Sequence, residues 1–279
     1  MQHTITQAEI DSYCLSLLTD ERAAGTIEKY HRDLSTFASF LGGAAVTKEN
    51  AAGWKTHLLE RGYKPETINS KLSAINGFFC FMGWNIKVKF LKIQRNLFRD
   101  PARELSRAEY DRLLAAAREN GQERLALIME TLCATGIRIS ELRYITVEAA
   151  RVGRATIALK GKIRTILLPT KLYRKLQKYA KKEKIASGAI FRTRSGKSIS
   201  RRQVWYELKR LCQAAVVEPG KVFPHNLRRL FAVTFYKASR DIARLADVLG
   251  HSSIETTRIY LAVSGAEQAR QLDRLGLVS

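Results

Sequence analysis

Five residues, Arg138, His225, Arg228, His251 and Tyr260, have the types and spacing to act together on a phosphate. Phosphoryl transfer on a nucleic-acid backbone needs a nucleophile, cations around the non-bridging oxygens and an acid for the leaving oxygen. Arg138 follows Gly136 by two residues, and Gly136 can end one helix before Ser140 begins the next, so the guanidinium sits at a junction where it can be held. An ion pair with Glu141 is the ordinary fate of an arginine so placed. Pro224 suits a first helical turn, which puts His225 and Arg228 three apart on one helical face, both within reach of one phosphate. Arg228 can offer the bidentate fork that a lysine lacks. Leu249-Gly250-His251 closes another helix, and Ser252 with Glu255 forms a capping signature for a further helix carrying Tyr260 near its end. His251 then stands where a helix N-terminus favours an anion.

Helices must position these groups. Over Thr26 to Leu41 the apolar residues Ile27, Tyr30, Leu34, Phe37 and Leu41 recur at helical spacing, and after Pro65 so do Ile68, Leu72, Ile75, Phe79 and Met82. Weaker patterns cover Thr6 to Leu18 and Thr47 to Leu59, so residues 1–86 read as a helical bundle. Periodicity fails over 87–103, where Lys87, Lys89, Lys92, Arg95, Arg99 and Arg103 face only Asp100, which predicts a basic linker. A second domain is expected over 104–279, opened by the capping pair Ser106 and Glu109, with helices around Arg124 to Ala134 and Ser140 to Tyr144. Within it, Ala155 to Leu159 and Arg164 to Leu168 are β-prone runs across a turn at Lys160 to Ile163, a small hairpin in a mainly α chain. From about residue 264 a tail shows a short apolar face of Leu272, Leu275 and Leu277, the pattern of a frayed end or a packing helix.

Composition narrows the partner. The 279 residues carry 48 Lys and Arg against 26 Asp and Glu, a formal net charge of +22, which calls for a polyanion. Residues 151–210 hold 19 basic residues against Glu183 and Glu207, whereas solvated faces normally mix signs. A hydrophobic share of 46% with 27% charged residues excludes a disordered or low-complexity chain. The most apolar stretch, Phe78 to Trp84, falls far short of the roughly 20 residues of a membrane span, so nucleic acid is favoured over a bilayer. Met1-Gln2-His3-Thr4-Ile5 lacks a secretory signal, which places the protein in the cytoplasm with reduced thiols. Cys14, Cys80, Cys133 and Cys212 are widely spaced and read as four buried structural cysteines, with neither a zinc site nor a disulfide framework. Tyr206 and Tyr236 lie in apolar or mixed helical patterns and are expected in the core.

In order and spacing, Thr135-Gly136-Ile137-Arg138 with Glu141-Leu142, the hairpin lysine, His225 with Arg228, and Leu249-Gly250-His251 with Tyr260 nine residues on resemble the tyrosine recombinase (phage integrase and Xer) family. Thr26-Ile27, Tyr30 and Asp33-Leu34, with Thr67-Ile68-Asn69 and Lys71 to Ile75, are similar to that family's N-terminal core-binding helices, so the resemblance covers nearly the whole chain. It implies a SAM-like helical core-binding bundle and a catalytic domain closing as a C-shaped clamp on double-stranded DNA. It also implies that Tyr260 attacks the scissile phosphate to give a 3′-phosphotyrosyl link and a free 5′-hydroxyl, with no metal or other cofactor. By the same resemblance Arg138 and Arg228 stabilise the transition state, His225 moves the nucleophile's proton, His251 holds a non-bridging oxygen, and Lys160 protonates the leaving oxygen, with Lys162 its rival. Base or backbone contacts are expected from Asn69 and Lys71, Lys162 and Arg164, and Arg201 and Arg202.

Two departures accompany the resemblance. Arg229 stands where the family often has a second histidine, leaving open altered support of the pocket or an added phosphate contact. The hairpin is also shorter than the Xer-like form. The resemblance further implies a homotetramer on two sites, with the tail docking into a neighbouring protomer. The short form, without an obvious arm-binding domain, resembles Xer recombinases, while Phe223 to Arg228 and Ser252 to Tyr260 look at least as close to integrases of conjugative transposons. Excision and integration of a mobile element is the expected use, with chromosome-dimer resolution, a catalytically silent DNA-binding protein and a type IB topoisomerase as alternatives.

Overall fold

Why these residues fold as they do is visible in a computed structural model of the chain, which describes residues 3–93, 101–159, 162–193, 195–261, 269–270 and 273–275. The chain forms two compact units, residues 1–95 and 96–279. In the first, α1 (Gln7–Thr19), α2 (Ala24–Leu41), α3 (Lys48–Glu60) and α4 (Pro65–Phe81) surround a core containing Phe37, Trp54, Phe78 and Phe79. Thr6 and Glu9 close a capping box at α1, Thr47 caps α3, and Pro65 fills the first turn of α4. α2 begins two residues before the expected Thr26, because the Ala23 carbonyl already accepts from the Thr26 and Ile27 amides.

After α4 the chain returns across the bundle. Asn76 exchanges two hydrogen bonds with the Val88 backbone, and Asn69 does the same with Leu91. The opening residues of the expected linker are therefore bound to the first unit, with Val88 buried in its core. Residues 94–100 of that linker lie outside the described residues.

The second unit comprises α5 (Arg107–Glu119), α6 (Glu123–Thr135), a 3-10 turn (Ile139–Tyr144), α7 (Val147–Val152), β1 (Arg154–Leu159), β2 (Lys162–Leu167), α8 (Thr170–Lys182), α9 (Arg201–Ala214), α10 (Pro224–Ser239), α11 (Ile242–Leu249) and α12 (Ile254–Leu261). The antiparallel ladder runs from Arg154 opposite Leu167 to Leu159 opposite Lys162. Only residues 160 and 161 separate the strands, so the expected turn at Lys160 to Ile163 is two residues shorter, and Lys162 and Ile163 join β2. The Ala158–Ile163 pair continues the ladder, which a four-residue turn would have broken. The expected helix at Ser140 is a 3-10 turn whose N-cap is Arg138, since the Glu141 carboxylate accepts the Arg138 amide.

Two burial expectations are corrected. Cys212 is buried, Cys14 and Cys133 are partly covered, and Cys80 is exposed because it lies off the apolar stripe of α4; all four are free thiols. Tyr206 is 57% exposed, its ring under Arg210, because the inward stripe of α9 is Val204, Leu208 and Leu211. Tyr236 packs beside the cluster of Ala232, Leu245, Leu249 and Tyr260. No helix among the described residues is long and apolar enough to cross a membrane, and no cluster of His, Cys, Asp and Glu among them could hold a metal ion.

Candidate active site

Helix ends assemble the site. An α-helix leaves its last carbonyls without intrahelical donors, and cationic side chains near that end are favoured by the dipole. Arg228, on the second turn of α10, supplies two such donors. Its Nη1 bonds the carbonyl of Gly136, the C-cap of α6, and its Nη2 bonds the carbonyl of Leu249, the last residue of α11, at 2.8 Å. The residue is only 3% exposed. Burial pulls the guanidinium below its ordinary range, while the nearby Tyr260 phenol counters that pull.

Gly136 allows this approach. It adopts a left-handed φ of +62°, and a Cβ there would lie 2.3 Å from Phe231 Cδ1 on α10. Gly136→Ala is expected to lower stability by about 2 kcal/mol or more, from left-handed strain plus overpacking against the Phe231 ring. A thermal melt matching the parent would show that Phe231 moves aside freely.

Arg138 and Glu141 make the second corner. Glu141 is 1% exposed, and its two oxygens accept from Arg138 Nη1 at 3.2 Å and from Arg164 Nη2 at 2.6 Å. Arg164 Nη1 also bonds the Val248 carbonyl at 2.8 Å. Arg164, expected at the duplex, thus ties β2 to the junction before α7 and to the end of α11, leaving the Arg138 guanidinium partly open.

His251 follows Gly250 immediately after α11. Its Nε2 is 2.9 Å from Arg228 Nη2 and its Nδ1 is 2.8 Å from Thr257 Oγ1. The Tyr260 ring, 5% exposed, stacks on the His251 ring at 5.8 Å and meets the His225 ring at 5.3 Å. The cap of α12 is Ser253, whose hydroxyl accepts the Glu255 amide at 3.2 Å, one residue beyond the expected Ser252. Arg138, His225, Arg228, His251 and Tyr260 therefore share one site on the second unit. Lys160 lies outside the described residues, as does the side chain of Lys162.

Electrostatics keep both imidazoles neutral near pH 7. Desolvation lowers the pKa of His225, assisted by Arg228, Arg229 and Arg201. For His251, desolvation followed by the charges of Arg228, Arg138, Arg164 and His225 pushes the pKa down from its ordinary 6.5 to about 4. Below pH 6.5 the unfolded chain takes up a proton at this position that the folded chain refuses, so stability falls as pH drops toward 4 and this contribution levels off below it. A His251→Gln variant is expected to show a shallower loss of stability across that window when both proteins are melted at each pH.

The remaining sequence candidates divide. Arg201 and Arg202 are exposed at the start of α9, and the exposed Trp205 and Tyr206 rings lie under Lys209 and Arg210 on the same helix. Asn69 is occupied by the Leu91 backbone, and Lys71 joins Lys29 on the buried carboxylate of Asp33 at 2.9 and 2.7 Å. Arg229 is paired with Glu104. From the sequence Glu141 reads as an ion-pair partner of Arg138 and as part of the family motif, with no site role given to it or to Thr257. The capping geometry three residues after Arg138 signals Glu141, whereas nothing local signals Thr257.

Known proteins resemble the chain along most of its length. Residues 103–267 match the phage integrase family model, and residues 10–85 match the phage integrase N-terminal SAM-like domain. The chain is 29% identical to the tyrosine recombinase XerC of Roseiflexus sp. (strain RS-1), over 91% of this chain and 88% of that one. It is 30% identical to the tyrosine recombinase XerA of Thermococcus kodakarensis, over 84% of this chain and 86% of that one. Its fold matches that of the Tn1549 transposon integrase in complex with transposon right end DNA, with a TM-score of 0.70 at 18% identity over 96% of this chain and 99% of that one. With the catalytic family model covering more than half of its length, the chain belongs to the phage integrase family and is a tyrosine site-specific recombinase.

Proposed function

We propose that the protein cleaves and rejoins double-stranded DNA at specific sites with Tyr260 as nucleophile. The observation that carries the reading is the seating of the Tyr260 ring between His225 and His251, with its phenol against Arg228. In the forward step Tyr260 Oη attacks phosphorus, the P–O5′ bond breaks, and the 3′ end stays on the protein as a phosphotyrosyl ester. His225, neutral near pH 7, accepts the phenolic proton, and Lys160 or Lys162 protonates the departing 5′ oxygen. Arg138 and Arg228 face the charge that builds on the non-bridging oxygens, joined by His251. The ester keeps the bond energy until a 5′-hydroxyl from the partner strand reverses the step.

Exposed Arg201 and Arg202 at the start of α9 suit contact with the duplex, and most of the protein's cationic contacts position the DNA without reading sequence. For assembly, the tail of one protomer is proposed to dock in a neighbour within a tetramer on two sites. An open apolar cavity of about 520 Å³ between α5, α6, α8 and α10, lined by Leu114, Leu172, Leu230, Phe231 and Phe235, has a size and chemistry suited to a short leucine face. The biological use proposed is excision and integration of a mobile element, carried out in the cytoplasm where such DNA resides. Xer-type dimer resolution is the second reading, favoured by relatives named XerC and XerA that align along most of their length.

A nicked suicide substrate bearing the element's end, incubated in EDTA, tests the chemistry. The expected product is a DNA-linked band on a denaturing gel whose attached peptide contains Tyr260. Site-specific binding with no adduct would favour a silent DNA-binding protein. Exchange between two sites, against relaxation of a supercoiled plasmid bearing one, separates recombinase from topoisomerase. Joining of element ends, against resolution of plasmid dimers carrying a host chromosomal site, separates the two biological uses.

A further inference from the structure

His251 contacts Arg228 through one ring nitrogen, and the other nitrogen fixes how the ring is held. Arginine has only donors, so His251 Nε2, 2.9 Å from Arg228 Nη2, accepts, and the neutral ring carries its hydrogen on Nδ1. That hydrogen points at Thr257 Oγ1, 2.8 Å away, so the hydroxyl is the acceptor. Thr257 is 0% exposed on α12, where no water can take over the bond, and its β-branched side chain has few helical rotamers. It also stands three residues before Tyr260, on the same face of the same helix. One side of α12 therefore carries the nucleophile and grips the back of the histidine stacked upon it, with the two rings only 10° from parallel.

We propose that Thr257 is a positioning residue of the active site, fixing the tautomer and plane of the His251 ring so that its Nε2 edge faces the phosphate position beside Arg228. The inference rests on the strand-cleavage reading above and adds a residue to it. A phosphate oxygen is an acceptor, so His251, neutral in the free protein, contacts it by taking a second proton on Nε2 when the phosphate's negative charge offsets the arginine charges that hold its pKa down, while Nδ1–H remains on Thr257. Without that hydroxyl the ring can rotate or carry its hydrogen on Nε2, where it opposes the Arg228 donor.

Two readouts on the full chain decide the matter. The protein has five histidines, so selective ¹⁵N-histidine labelling gives a spectrum in which His251 is assigned by its loss in His251→Gln. The parent is expected to show His251 as the Nδ1–H tautomer, Thr257→Val a mixture, and Thr257→Ser the parental pattern. On the suicide substrate, Thr257→Val is expected to slow single-turnover cleavage roughly 10–100-fold with site affinity within about twofold, and Thr257→Ser to come within about threefold of the parent. An unchanged tautomer in Thr257→Val, parental cleavage by it, or equal slowing in Thr257→Ser would overturn the proposal. If the parent itself forms no adduct on a verified site, the strand-cleavage reading fails instead, and the spectrum alone still decides whether Thr257 sets the ring.

Discussion

Tyr260→Phe is expected to bind its recombination site with parental affinity and to form no covalent adduct at all. The ring is part of the small core with Ala232, Leu245 and Leu249, and phenylalanine keeps that packing while removing the hydroxyl proposed to attack phosphorus. The loss therefore reaches the detection floor of the gel, while binding, carried by dispersed phosphate contacts, is untouched. Any adduct on the variant would assign the nucleophile elsewhere. In the ring contacts of the described residues Tyr260 is the tyrosine that meets both His225 and His251, whereas Tyr206 stands exposed on α9 under Arg210.

Arg228→Ala is expected to fail in two separable ways. Loss of one donor to transition-state charge slows cleavage by about 10²–10³-fold. The same substitution leaves the Gly136 and Leu249 carbonyls without their donor, at about 1–3 kcal/mol for each buried group, which lowers the melting temperature by roughly 5 °C or more. Arg228→Lys can replace only one of those two bonds and should fall between. Melting and single-turnover cleavage together check the claim. A variant that melts like the parent would show those carbonyls to be satisfied by water.

The distinction between these variants follows from what the sequence could and could not reveal. Helix-borne pairs were legible, because His225 and Arg228 need only the period of α10 to share a face. The capping pair Ser106 and Glu109 marked the start of α5, and apolar patterns placed α1 and α3 to within a residue. The bond from Arg228 to Gly136 spans 92 positions, and no local pattern encodes which helix end will meet which side chain. Asn69 and Lys71 looked outward by their polarity, yet the returning chain and buried Asp33 engage both. Thr257 was invisible for a related reason. Its partner lies six residues upstream across a turn, and a threonine before a tyrosine reads as any helical residue.

Arg228's place across two helix ends also bears on how such a chain decays. A copy relieved of selection for strand exchange can lose Tyr260 to phenylalanine with its core intact, but it cannot lose Arg228 without loosening α6 and α11 together. Degenerate descendants that persist as folded DNA binders would thus shed the nucleophile before the arginine. An arginine retained beside a missing tyrosine would then mark ancestry rather than activity.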